Sequence, residues 1–157
     1  MSRASDPQRI ERRAAYVREQ VQRLRTLAAT VDLATFTAEG GWLASGARYA
    51  LQTAIEGLVD IAYHVCARRF SYAPPDARSA FRHLAEAGLL DQALTARTLG
   101  MVGFRNVVVH GYDHVSDETV YGMIRDELGD LEAALLALEA AAGIPRSRDA
   151  RAAAKGS

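Results

Sequence analysis

The stretch from Trp42 to Arg69 constrains this chain more than any other. Tyr49, Leu51, Ala54, Ile55, Leu58, Val59, Ala62 and Val65 recur at helical spacing on more than one face. A helix that is apolar on several faces cannot lie on a surface; it belongs at the centre of a bundle. "EGG" at 39–41 interrupts the pattern before it, and Pro74 and Pro75 cannot continue a helix after it. Whatever else the chain forms must therefore pack around one long central helix.

The remaining segments predict the helices that do so. Asp6-Pro7 reads as an N-cap with proline at the first helical position. Ile10, Ala14, Val17, Val21, Leu24 and Leu27 then mark one face of an amphipathic helix that fades near Val31. Asp32 caps a short turn holding Leu33 and Phe36. Asp76 caps a helix over 77–87 closed by Gly88, and Asp91 caps one over about 92–110 ending near Gly111. Ser116 or Asp117 opens a last helix to about Ala142, with Val120, Ile124, Leu128, Leu131, Leu135 and Leu138 on one face. Gly143 and Pro145 stop it. There is no period-2 strand and no internal repeat; "NVVVH" is β-branched, but its short length and its neighbours make it the end of a buried helix. The expectation is an all-α bundle of about five helices with short loops. Residues 1–143 read as a single helical domain and 144–157 as a disordered basic tail.

Composition excludes several classes. No apolar run approaches the 18 or more residues of a membrane span. The start "MSRASDPQRIERR" has no apolar signal region, so the expected compartment is the cytoplasm. The single cysteine, Cys66, rules out an internal disulfide and a multi-cysteine metal cluster. Net charge is zero, yet charge is segregated along the chain. Residues 1–28 carry seven Arg against three acids, +4; residues 113–140 carry eight acids against Arg125, −7; residues 144–157 carry four bases against Asp149, +3. The plain reading is solvated helix faces. A protein that coats nucleic acid has a basic balance, so any RNA contact here should be local and brief.

The chemistry-bearing stretch is "RNVVVHGY", residues 105–112. At about 100° per residue, Asn106 and His110 share a helix face, while His110 stands about 140° from Arg105. A bend at Gly111 would bring Arg105, His110 and Tyr112 toward one pocket; spacing alone leaves that open. Cutting RNA without a metal needs a base for the 2′-hydroxyl proton and an acid for the leaving oxygen, and histidine serves either step. Arginine presents a planar fork suited to phosphate. Asn106 can donate to a phosphate or orient His110, and Tyr112 can bond a phosphate or stack on a base. By spacing alone, a structural reading stands beside this one: Arg105 pairs with an acid and His110 caps a helix end.

"RNVVVHGY" resembles the Arg-x4-His-x-Tyr signature of HepT-like proteins, a branch of the HEPN superfamily. The likeness continues through "GMVGFRNVVVHGYDHVSDETVYGMIRDELGDLEAAL", and "ALQTAIEGLVDIAYHVCARR" resembles that family's central helix, so it covers most of residues 8–140. The resemblance implies a HEPN-like all-α bundle that dimerises, with the motif lining a cleft at the dimer interface. It implies a metal-independent endoribonuclease acting as the toxin of a toxin–antitoxin pair, needing no cofactor. Arg105 and His110 match the motif's catalytic residues, and Asn106 its supporting polar residue. Tyr112 matches the tyrosine to which the antitoxin, an MntA-like minimal nucleotidyltransferase, adds AMP. A bulky anion there would block RNA and repel its phosphates. The implied partners are RNA, that antitoxin and a second copy of the chain, with no membrane. The rival reading is a non-catalytic module that binds nucleotide or RNA, or docks the nucleotidyltransferase, through the same cleft.

Other residues have plainer readings. Cys66 reads as a buried structural thiol, and His64 and His83 as structural or surface histidines. Trp42, Tyr49 and Tyr63 read as core or dimer-interface residues, and Arg48 as a salt-bridge partner before a phosphate contact. His114 follows His110 by four and Asp113 is adjacent, but no HExxH arrangement supports a metal site. There is no P-loop, no GxGxxG and no nucleophile elbow. A dimer also follows from physics: a polar site beside an exposed helix end gains water exclusion when two copies meet, and symmetric pairing is the commonest assembly.

Overall fold

A computed structural model describes residues 6–38, 41–111 and 115–144. They form seven helices: α1 (Asp6–Thr30), α2 (Leu33–Thr37), α3 (Trp42–Phe70), α4 (Ala77–Glu86), α5 (Gln92–His110), α6 (Asp117–Asp126) and α7 (Leu128–Ala141). No strand occurs among the described residues. No helix among them is long and apolar enough to cross a membrane. The predicted tail from residue 145 onward lies outside the described residues.

The count of about five helices is corrected to seven. The turn at Asp32 is a five-residue helix in its own right. The predicted last helix is two helices, because Glu127 leaves helical geometry at φ −114°, ψ −1°. Gly129, one residue into α7's first turn, adds local backbone freedom. The apolar repeat runs on through the break, so periodicity could not show it: Ile124, Leu128 and Leu131 are all buried.

α3 is the axis, in contact with every other helix. Its Ile55, Leu58, Ile61, Ala62, Val65 and Cys66 have no exposed surface. α1 packs tightly against it at Gly57, where an added Cβ would stand 2.5 Å from Val17 Cγ2. α2 plugs one end: buried Phe36 meets Tyr121 of α6 with ring centroids 5.1 Å apart, and the Tyr121 hydroxyl donates to Val31 O at 2.7 Å. Four of the predicted caps are present, while Asp6, read as a cap, is the first residue of α1. Asp32, Asp76, Asp91 and Ser116 each accept from the backbone N–H three residues on, which satisfies donors a helix start otherwise leaves unpaired.

Candidate active site

α5 carries the motif. Asp91 Oδ1 accepts from Leu94 N–H at 2.7 Å and sets the helix start. Leu94, Thr98, Met101, Val102 and Phe104 then bury its inner face. The helix stays regular through His110. Gly111 ends it in the left-handed region at φ 64°, its N–H donating to Val107 O, a conformation glycine adopts without steric cost. Arg105 and His110 therefore keep their angular separation on α5 up to Gly111, and where Tyr112 stands relative to them lies outside the described residues. His110 is exposed and Arg105 half-buried.

Arg105 is held from two sides. Its Nη1 donates to Asn106 Oδ1 at 2.6 Å, and its Nε lies 4.0 Å from Glu56 Oε1 of α3. That Nε is buried and has no hydrogen-bond partner among the described residues. Gln52 Nε2 donates to the same Glu56 oxygen at 3.3 Å. Tyr63 is also close: burial pushes its phenol up, against the opposing pull of the Arg105 guanidinium. The supporting partner of Asn106 is thus Arg105. Glu56 and Tyr63 were missed by reading the motif alone. Their signal is present in the spacing, since Trp42, Tyr49, Glu56 and Tyr63 recur every seven residues and share one stripe of α3.

That stripe removes the core reading of two aromatics and leaves their dimer-interface reading as an expectation. Trp42 is 82% exposed and Tyr49 65%, so neither belongs to the core of the protomer; Tyr63 is half-buried. Arg48, further round α3, is a salt-bridge residue as expected. Its Nη2 reaches Asp117 Oδ1 at 2.8 Å and Val115 O at 3.0 Å, which ties the chain just before α6 to α3. Tyr112, with Asp113 and His114, lies outside the described residues. Cys66 is buried, its Sγ 3.7 Å from Ala80 O, and burial raises its thiol pKa. His83 is half-buried between Phe70 and Tyr72, at centroid distances of 4.9 and 4.5 Å. Among the described residues, no three His, Cys, Asp or Glu side chains converge to hold a metal.

An all-helical bundle around one central helix, with an Arg-x4-His motif closing a flanking helix, is the HEPN architecture. The chain belongs to the ribonuclease HepT-like family, whose model matches residues 17–138. It is 33% identical over 82 residues to the mRNA nuclease HepT of Shewanella oneidensis; the match spans 52% of this chain and 62% of that relative's length. Among solved structures it is similar to a tri-AMPylated Shewanella oneidensis HEPN toxin in complex with an MNT antitoxin, at a TM-score of 0.75 and 26% identity, covering 83% of this chain and 96% of that one. It is also similar to a toxin–antitoxin structure with AMP-PNP, at a TM-score of 0.72 and 25% identity, covering 82% and 96%.

Proposed function

We propose that this chain is a metal-independent endoribonuclease, the toxin of a pair whose antitoxin is a minimal nucleotidyltransferase. One observation carries the reading. On the last turns of α5, Arg105 is fixed by Asn106 and faces Glu56, five residues before an exposed His110 at the helix end. A cation held in place and an accessible imidazole, brought together across a cleft between two copies, are what phosphodiester transfer without a metal requires. The names of the relatives, an mRNA nuclease and a HEPN toxin bound to its antitoxin, point the same way.

In this mechanism His110 takes the proton of the RNA 2′-hydroxyl. The 2′-oxygen attacks the adjacent phosphorus, and the bond from phosphorus to the 5′-oxygen breaks. The imidazolium returns its proton to that departing oxygen. The products are a 2′,3′-cyclic phosphate and a free 5′-hydroxyl. Arg105 stabilises the charge on the phosphoryl oxygens as it builds. Within one protomer Arg105 and His110 sit on different faces of α5, so the working site is a cleft between two copies that pools both α5 ends. Light scattering at micromolar concentration should show a dimer or a higher even assembly.

Tyr112 is the proposed acceptor of AMP, since one similar solved structure is a tri-AMPylated toxin. The added phosphate would repel RNA at the cleft. Incubation with a minimal nucleotidyltransferase and ATP should add adenylyl mass to the chain, and Tyr112→Phe should not take it.

The deciding experiment is RNA cleavage in excess EDTA by protein whose Tyr112 is confirmed unmodified by mass, beside His110→Ala prepared identically. His110→Ala should cut at least about 100-fold more slowly, the scale of a lost acid–base group. Substrates of DNA or 2′-O-methyl RNA should stay intact. Equal cutting by both proteins would reject His110 as the acid–base group. No cutting of cellular RNA by either would leave the binding-module reading standing.

A further inference from the structure

We propose that the groove between the start of α1 and the last third of α3 is a second RNA contact, taking the phosphodiester backbone of a single strand that continues from the α5 site. The inference rests on RNA being the ligand at α5. The groove encloses about 450 Å³ and is lined by Arg9, Arg13, Asp60, Tyr63, His64 and Arg68 among others. Three arginines against one aspartate leave it at +2 before any charge on His64.

The arginines are not equivalent. Arg13 Nη2 is 2.8 Å from Asp60 Oδ2, with both side chains about half exposed. Arg9 and Arg68 are exposed and form no ion pair among the described residues. Arg18 and Arg25 of α1, Arg48 of α3 and Arg97 and Arg105 of α5 each face a carboxylate; Arg12 and Arg23 of α1 form no ion pair among the described residues either, but they do not line the groove. Two uncommitted guanidiniums over one concavity are suited to anionic oxygens, which their planar forks bind in pairs.

The position is as informative as the charge. Tyr63 lines the groove and lies within the field of Arg105. Glu56, seven residues earlier on the same stripe of α3, faces Arg105 directly. Seven residues of helix span about 10 Å, a distance a single RNA strand covers in a few nucleotides. Tyr63 at the junction offers a ring on which a base can stack while phosphates go to Arg9 and Arg68. A neutral protein thereby acquires a short local track for a polyanion.

The test uses the full chain carrying His110→Ala, so that RNA is bound and not consumed. A short fluorescein-labelled single-stranded RNA is titrated by anisotropy across a range of sodium chloride concentrations, with and without Arg9→Ala/Arg68→Ala. Losing two phosphate contacts should lower the salt slope by about 1.4, which between 1 M and 0.1 M salt amounts to about 25-fold in affinity. Arg9→Lys/Arg68→Lys should keep most of the slope, and circular dichroism should show the alanine variant folded. An unchanged slope in the folded alanine variant overturns the proposal. So does an unchanged slope with lost binding of a minimal nucleotidyltransferase, which would make the groove a protein contact. Cleavage by the wild-type chain is assayed separately. If wild type cuts RNA and the slope does not change, the groove alone fails. If wild type does not cut and the slope falls, the ribonuclease reading fails and the groove stands as an RNA contact.

Discussion

Two stretches of α1 treat the same residue type in opposite ways. Along its seam with α7, Arg18 forks onto both oxygens of buried Glu139, and Arg25 reaches Glu132 at 3.0 Å. Arg97 and Arg48 hold Asp130 and Asp117 in the same acidic region. Near the helix start, Arg9 lines a groove whose one carboxylate, Asp60, is held by Arg13, and Arg9 itself forms no ion pair among the described residues. The basic start of the sequence and its acidic stretch at 113–140 are therefore more than solvated faces. Much of the acidic charge is consumed in cross-helix pairs, and a small positive surplus is left beside the motif. Net charge governs solubility and long-range steering; which charges remain unpaired governs where an anion can bind.

If that contrast is right, seam substitutions cost stability and groove substitutions cost RNA affinity. The sharpest case is Arg18→Ala. It strands Glu139, whose side chain is only 8% exposed. Losing one partner of a buried pair costs several kcal/mol, and the partial exposure of Arg18 reduces this to about 2–3 kcal/mol. Urea unfolding would measure it, and a paired Arg18→Met/Glu139→Met should recover most of the loss. A loss below about 0.5 kcal/mol for the alanine variant would show the seam to be no more than surface.

Gly57→Ala probes the α1–α3 contact beneath the groove. The new Cβ would stand 2.5 Å from Val17 Cγ2, a stiff and fully buried side chain. Overpacking costs about 1–3 kcal/mol, offset by up to about 1 kcal/mol of helix propensity. The expected net loss is about 1–2 kcal/mol, again by urea. A stabilised variant would mean that α1 and α3 separate freely, and the groove could not be a fixed shape.

The smallest effects complete the comparison. Arg25→Ala removes a pair whose side chains are 47% and 36% exposed, so it should cost less than about 1 kcal/mol. Arg9→Ala and Arg68→Ala touch no ion pair among the described residues and should each stay within about 0.5 kcal/mol. Thermal unfolding of the three should rank them in that order. A groove variant that loses as much stability as Arg18→Ala would break the distinction between paired and unpaired arginines.

Much of this molecule was legible in one dimension because the signals are local. Asp32, Asp76, Asp91 and Ser116 each cap a helix where a short polar side chain precedes an apolar repeat. Cys66 is buried where its neighbours are apolar, and Arg48 forms its salt bridge. The break at Glu127 was not legible, because the apolar register continues across it. For Trp42 and Tyr49 the core and dimer-interface readings stood together, because an aromatic side chain does not reveal which face of a long helix meets the other helices.

Sequence alone determined the helical class, the central place of α3, the caps and the motif with Arg105, Asn106 and His110 in one short stretch. Each depends on periods and neighbours a few residues apart. Only the tertiary structure decided that Glu56 and Tyr63 come to Arg105 and that Arg18 goes to Glu139 and not to an anion. It also decided that Arg9 and Arg68 meet across a groove. Those residues stand 42 to 121 positions apart in the chain. They follow from how amphipathic faces pack, and no local spacing encodes them.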